Sequence, residues 1–589
     1  MIDINSFIPS IDTPIVHLLI IFLLYIGTWW KSLFGGFLID DDLGLQQFSD
    51  RFRPEMKELP DKRLVPMSDP NYEKLNATIV PELLVDYYNQ ETGKDKDGKP
   101  IIEAWKNLRY NKFLGFPGAF MRWHRLQIGR KYTVIGVNKK GHEVYGFVQD
   151  PFRHHIWSML WHGLALLLCY RFLSNLFGPQ IAFPATLLFA VHPIISQTVA
   201  WISGINYTYC LSFLLMNYNV LQMGLSHYWT IPLTMLFTAL SSLSLLVGCF
   251  NFAILFSLGY HWEAISAILV GVVIFLRDGL GVMNYRRNEF KKQSMTATIT
   301  PNIRKPIIML KTLWYYICLI TIPKNLGLYH VWGYDYSRKD EEPTWMFWFG
   351  LASFMAMAYG FFFGPLLIKF CVVWFLFYFA IFSNFITANQ FVVERYVFIP
   401  SLAYCVLFGW LLYPYPALFW LLIGLYAMRS IMHVWTFKDH ISFYHSNIIN
   451  FPKSEVAYGN LGAAYQNKGW PGAAFDYWME ATRVNPHYDV PWYNMSVLLK
   501  NQGMLEQSKE NLKKCMNAKV VHFREAWEKD MLELDNAILK KQCLETLNRE
   551  MNDAIAQNRY DIVPELKKKM DVLMDPKTKV TIAPKEAST

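Results

Sequence analysis

Apolar residues are not spread evenly along this chain: they gather into long runs up to Trp435 and become sparse after it. An α-helix rises 1.5 Å per residue, so a run of about 17 to 25 apolar residues is what crossing a hydrocarbon layer roughly 30 Å thick requires. Runs of that kind lie near 14–30, 155–173, 178–194, 200–223, 228–248, 251–276, 306–323, 345–363, 365–383, 397–413 and 415–433, which predicts an α-helical polytopic membrane protein with about 11 transmembrane helices. Aromatic residues make up 16% of the chain, which suits Trp and Tyr seated at membrane interfaces. The first run, Pro14 to Trp30, has no basic leader and no small-residue cleavage site, and it reads as a retained span.

The formal charge of +9 does not call for nucleic acid, because no repeated basic and aromatic pattern accompanies it. Much of the excess sits beside apolar runs. Arg277, Arg286, Arg287, Lys291, Lys292, Arg304 and Lys305 crowd the polar stretch between the sixth and seventh runs, and the positive-inside rule assigns such a loop to the cytoplasmic side. Alternation from that anchor puts the loop after the first span, the 329–344 loop, the stretch before Tyr396 and the C-terminal region on the opposite face. The eight cysteines show no close pairing and no metal-ligand spacing, so neither a disulfide framework nor a metal site is expected.

Five segments follow from these shifts: 1–50, the first helix and an acidic loop; 51–150, a loop insertion; 151–435, the membrane core; 436–522, a repeat region; and 523–589, a helical cap and tail. In the insertion, Tyr132–Val137 and Glu143–Val148 are strand-like and flank a turn at Lys139–Gly141, which predicts a hairpin in a small subdomain. From Glu455 the spacing of Tyr458, Leu461, Gly462, Tyr465, Ala474, Trp478, Ala481 and Pro486 resembles a tetratricopeptide unit. Shifted by about 34 residues, Trp492, Met495, Ser496, Leu499, Ser508, Leu512 and Cys515 give a fainter second unit. Stacked units of this kind form an α-solenoid whose groove takes up a protein partner, and Phe523–Asn558 and Ile562–Met574 are expected to cap it.

Asp40, Asp41 and Asp42 follow the first span at the non-cytoplasmic surface. Adjacent carboxylates repel and raise at least one pKa, an arrangement that serves a general base or a cation site, although an acidic cluster at a span end is also an ordinary solvated feature. Four further stretches accompany it: DPFRHHIWSMLWH with Pro151, His155 and His162; LLFAVHPIISQTVAWISG with His192, Pro193, Trp201, Ser203 and Gly204; SNFITANQFVVERYVFIPS with Ser383, Asn384, Glu394, Arg395, Tyr396 and Pro400; and, more loosely, WYYICLITIPKNLGLYH with the WTFKDHISFYHSNIINFP lead into the repeats. In order and position these resemble the membrane-embedded protein O-mannosyltransferases that carry tetratricopeptide repeats, and their bacterial relatives, of the GT-C glycosyltransferase fold. The likeness covers nearly all of the chain outside about 51–148.

The resemblance implies a transferase that moves a sugar from a polyprenyl-phosphate donor to a protein or other acceptor on the non-cytoplasmic side. Such a reaction needs a carboxylate to take the acceptor proton and cationic or hydrogen-bonding groups to hold the departing phosphate. Asp40 and Asp41 align with the family's acidic pair and stand as base candidates. Arg395 is the phosphate anchor, its alternative being an ion pair with Glu394 or the Asp cluster. Glu394, His155, His162, His192 and Gln197 complete the donor-side set, and each His also fits a helix-to-helix contact. No cofactor beyond the lipid-linked sugar and no metal is implied. The chain departs from the family at Ser158, Gln197, Ile205 and Tyr207, where Asn, Glu, Arg and Asp are usual. Loss of that carboxylate and Arg together fits a second reading, a non-catalytic membrane scaffold that holds partners through its insertion and repeats. An oligosaccharide ligase or polymerase fits the layout without the ordered signatures. The expected location is a bacterial inner membrane with periplasmic repeats, or alternatively the endoplasmic reticulum membrane with luminal repeats.

Overall fold

The computed structural model describes residues 14–38, 56–58, 64–66, 91–94, 100–102, 128–137, 143–276, 305–328, 330, 344–384, 392–517 and 524–575. The chain divides into two compact units with the break between Pro452 and Lys453.

The first unit contains helices α1 (Pro14–Trp29), α2 (Pro151–Phe177), α3 (Pro179–Val191), α4 (Ser196–Val199), α5 (Ile205–Leu221), α6 (His227–Ser244), α7 (Asn251–Ser257) and α8 (His261–Ile274). It continues with α9 (Lys305–Thr321), α10 (Trp345–Phe363), α11 (Leu366–Phe379), α12 (Ser401–Leu412), α13 (Pro416–Val434) and α14 (His440–Asn450). Among the described residues, four helical stretches, Pro14–Phe34, Pro151–Phe177, Trp345–Phe363 and Pro416–Phe437, are long and apolar enough to cross a membrane, and a bent pair, Pro179–Val191 with Pro193–Val199, makes a fifth. Each of the other apolar runs holds helix too, in shorter pieces such as Pro306–Thr321 and Ser401–Leu412.

Local chemistry sets the ends of these helices. Asp150 caps α2 by accepting the Phe152 N–H at 3.1 Å, with Pro151 at the first helical position, where its missing N–H is no loss. Pro193 ends α3, since proline disfavours helical geometry in the residue before it; His192 is extended and the chain bends by 53°. The bundle is tied by long-range bonds from indole and hydroxyl donors to carbonyls: Trp29 to Ala190 at 2.7 Å, Tyr25 to Met159 at 3.1 Å, Ser430 to Val191 at 2.7 Å and Trp374 to Ile399 at 2.8 Å. Buried away from water, such bonds fix which helices touch.

The 251–276 run is not a single helix. Helix α7 stops at Ser257 and the chain reverses at Gly259, whose φ of 85° glycine adopts without strain. His227 Nδ1 lies 2.8 Å from Glu263 Oε1, which joins the start of α8 to the start of α6, while a Cβ on Gly271 would stand 3.0 Å from the Cys249 carbonyl just past the end of α6. Helices α6 and α8 therefore run in the same direction.

Among the described residues of the insertion are three antiparallel strand pairs: β1 (Met56–Glu58) with β2 (Leu64–Pro66), β3 (Glu91–Lys94) with β4 (Pro100–Ile102), and β5 (Arg130–Val137) with β6 (Glu143–Gln149). In the last, Tyr132 faces Phe147 and the register shifts between Val134 and Gly136. The turn at Lys139–Gly141 and the loop from Arg277 to Arg304 lie outside the described residues.

The second unit is a row of helix pairs: α15 (Glu455–Asn467) with α16 (Pro471–Val484), α17 (Asp489–Asn501) with α18 (Leu505–Met516), then α19 (Arg524–Ala556) with α20 (Val563–Met574). Gly462 lets α15 touch α16, for a Cβ there would meet the Trp478 ring at 2.5 Å. Trp478 donates from Nε1 to the Gly459 carbonyl at 3.0 Å. In the next pair the equivalent approach is made by Ser496 and Ser508, whose hydroxyls each donate to the other's carbonyl at 2.8 Å.

Candidate functional site

The break after α3 creates a run of short turns, Pro193–Ile195, α4 and Ile202–Gly204, that carries Gln197 and Trp201 at one end of the bundle. His192 starts it, with Nδ1 accepting the Ile194 N–H at 3.1 Å and its ring 4.5 Å from that of Tyr426. Gly204 closes it: a Cβ there would fall 2.2 Å from the Gln197 carbonyl oxygen, so only glycine permits this return of the chain.

Gln197 is a buried bracket. Its Nε2 donates to the Gly327 carbonyl at 3.1 Å, and its Oε1 lies 3.4 Å from both the backbone N and Nη1 of Arg395. The Arg395 guanidinium stands 4.9 Å over the Trp201 ring and 5.6 Å from that of Tyr396. Trp201 in turn donates from Nε1 to the Leu38 carbonyl at 3.1 Å. Two residues after Leu38 comes Asp40. Asp40, Asp41 and Asp42 themselves lie outside the described residues.

Glu394, next to Arg395, is fully buried. Its Oε1 accepts the Gly327 N–H and lies 3.6 Å from His330 Nε2, and its Oε2 lies 3.7 Å from His433 Nε2. Burial pushes the carboxyl up, but the two facing imidazoles outweigh it and hold the carboxyl below the usual carboxylate range. The 323–328 segment is pinned from other sides as well. Arg429 donates to the carbonyls of Pro323 and Lys324 at 3.1 and 2.8 Å, Asn447 Oδ1 accepts the Leu328 N–H at 2.7 Å, and Asn450 donates to the Leu326 carbonyl at 2.8 Å.

Of the sequence-derived set, Gln197, Glu394 and Arg395 come together. His155 is buried against the Gly35–Gly36 turn, where a Cβ on Gly35 would stand 2.9 Å from its Nε2. His162 lies inside the bundle, stacked on Tyr25 at 5.1 Å and Phe189 at 6.0 Å. His330 and His433 were not singled out in the sequence. The loose likeness ending in Leu-Tyr-His at 328–330 was the one signal for the first, and an imidazole at the close of an apolar run was the signal for the second.

The fold and site thus define a largely α-helical chain whose first unit has helices fit to cross a membrane and whose second is a helical repeat. Residues 491–519 match the family model for the tetratricopeptide repeat, which is the second of the two units read from the sequence. Repeats of this type generally mediate protein–protein interaction. No curated protein and no solved structure matches the chain.

Proposed function

We propose that the chain is a membrane glycosyltransferase of GT-C-like architecture that moves a sugar from a polyprenyl-phosphate donor to a protein or other acceptor on the non-cytoplasmic side. The observation that carries this reading is the join of three distant signatures: Leu38 of the acidic-loop lead, Gln197 and Trp201, and Arg395. A guanidinium stacked on an indole keeps its N–H groups in the plane of the fork, which is the geometry for holding a phosphate by two bonds. In the proposed reaction the acceptor hydroxyl attacks the anomeric carbon, Asp40 or Asp41 takes its proton, and the bond to the donor phosphate breaks with its electron pair leaving on the phosphate, so that the centre inverts. Arg395 would stabilise that departing charge. The tetratricopeptide repeats would present the acceptor.

The test is transfer from a radiolabelled polyprenyl-phosphate sugar to protein acceptors by the full chain in lipid. Asp40→Asn and Asp41→Asn keep the shape and remove the base, so transfer should fall by about a hundredfold to ten-thousandfold with expression and melting unchanged. If the wild type transfers nothing while partners still co-purify through the repeats, the reading fails and the scaffold stands. One observation favours that second reading: Gln197, where the family carries a carboxylate, is occupied in bracing Gly327 and Arg395.

A further inference from the structure

Away from Arg395, a buried seam of polar groups runs through the bundle between α5, α6, α7 and α8. Helix α6 contributes Thr230, Thr234 and Thr238, four residues apart and therefore on one face at steps of about 6 Å. Each holds a partner from another helix: Thr230 Oγ1 donates to Glu263 Oε1 at 2.5 Å, Thr234 Oγ1 to Asn217 Oδ1 at 2.9 Å, and Asn251 Nδ2 to Thr238 Oγ1 at 2.7 Å. Ser242 continues the line on α6. All of these side chains are at most 4% exposed. At one end is His227, whose side chain is 68% exposed and bonds Glu263.

These contacts leave a remainder. Asn217 Nδ2, Asn251 Oδ1, Glu263 Oε2 and the Ser242 hydroxyl are buried and have no hydrogen-bond partner among the described residues. A helix hydroxyl ordinarily satisfies itself on a carbonyl three or four residues back, as Ser241 does on Thr238 at 3.1 Å and Ser244 on Leu240 at 2.8 Å. Ser242 does not, and buried groups left so are costly inside a membrane protein.

The remainder also indicates what meets it. A bare cation would suit Asn251 Oδ1 and Glu263 Oε2 but would face the amide protons of Asn217. Water donates and accepts, and it is the ordinary partner of buried polar groups that the chain leaves unmet. We infer that the seam between α5, α6, α7 and α8 holds a file of ordered water molecules that leads inward from His227 past Glu263 toward Ser242. From Thr230 to Ser242 the file covers about 18 Å along α6, more than half of the hydrocarbon thickness. The inference stands apart from the transferase reading and survives its failure.

Water-edited solid-state NMR on the full-length protein in lipid bilayers tests it directly. Magnetisation should pass from water to the side-chain amides of Asn217 and Asn251 within milliseconds, as fast as to exposed amides. A second measurement uses Ser242→Ala. If water meets this hydroxyl, the substitution removes a partner from the file and lowers Tm, by about 2 to 4 °C. If the seam is dry, the substitution removes an unpaired group and raises Tm. No transfer to either amide, or a raised Tm in Ser242→Ala, overturns the water file and leaves dry interhelical contacts in its place.

Discussion

The Arg395 guanidinium lies 4.9 Å over the ring of Trp201, and both residues contact elements far apart in the sequence: Gln197 Oε1 lies 3.4 Å from Arg395, and Leu38 accepts from Trp201. If this cation holds a lipid phosphate, Arg395→Ala should weaken binding of polyprenyl phosphate by about 1.5 to 3 kcal/mol, the scale of a charged hydrogen bond. Arg395→Lys should recover part of it, restoring charge without the fork. Trp201→Leu should cost about 0.5 to 2 kcal/mol through loss of the stacked ring. Lipid titration of the purified variants measures all three. An unchanged affinity in a folded Arg395→Ala protein would assign the residue to packing.

Glu394 gives a pH prediction. Its carboxyl is held low in the folded chain by His330 and His433 against the opposing effect of burial. A carboxyl with a depressed folded pKa stabilises the fold at pH values above its unfolded pKa of about 4.3, and that stability is lost as pH falls through the lower folded value. Thermal unfolding of the wild type should therefore move to lower temperature below about pH 4. Glu394→Gln should cost about 3 kcal/mol at neutral pH, the scale for removing one partner from a buried pair, and should flatten the acid limb. The same acid dependence in Glu394→Gln and wild type would show that the carboxylate is not its source.

How much of this was legible in the sequence differs from element to element. The repeat was readable because two helices in contact demand small residues at fixed places, and Gly462, Ala474 and Ala481 recur as Ser496, Ser508 and Cys515. The helices of the apolar runs were readable for the same kind of reason, although among the described residues four or five of them have the length and apolarity to cross, against about 11 expected. The reversal inside 251–276 was hidden, because hydropathy does not register a turn between two apolar helices; Gly259 and the lone Glu263 were its only marks. Glu394 was grouped with donor-binding residues from its place beside Arg395. Its carboxylate lies among His330, His433 and the Gly327 N–H, contacts that no spacing in the sequence discloses.

In the repeat unit, Trp478 is 3% exposed and packs with Ala474, Met495 and Leu498 while bonding the Gly459 carbonyl. Trp478→Ala should destabilise this unit by about 3 to 5 kcal/mol through lost contacts and a residual cavity. Gly462→Val should act in the same direction by overpacking, since a Cβ alone already meets the indole at 2.5 Å. Limited proteolysis of the full chain would read both as faster cleavage after Pro452, with the apolar helices retained. Cleavage at the wild-type rate in both variants would mean that the α15–α16 contact does not hold the unit together.

The parallel course of α6 and α8 gives the last prediction. Read as a single span, 251–276 would place its start and its finish on opposite faces, with the residues near 260 inside the bilayer. The contacts give another arrangement. Glu263 bonds both His227 and Thr230 at the start of α6, and Asn251 bonds Thr238 higher on the same helix. Gly271 lies against Cys249, beyond the end of α6. The chain therefore descends along α6 through α7, turns at Gly259 and climbs again as α8. Leu225 and Trp262 are exposed, at 44% and 64%, on the two segments that this path brings to one end. Single cysteines at Leu225 and Trp262, in a background with the exposed Cys318 replaced, should react with a membrane-impermeant maleimide from the same side, and a cysteine at Leu246 should not react from that side. Labelling of positions 225 and 262 from opposite sides, or of position 262 from neither while 225 reacts, would restore the single span and remove the reversal at Gly259.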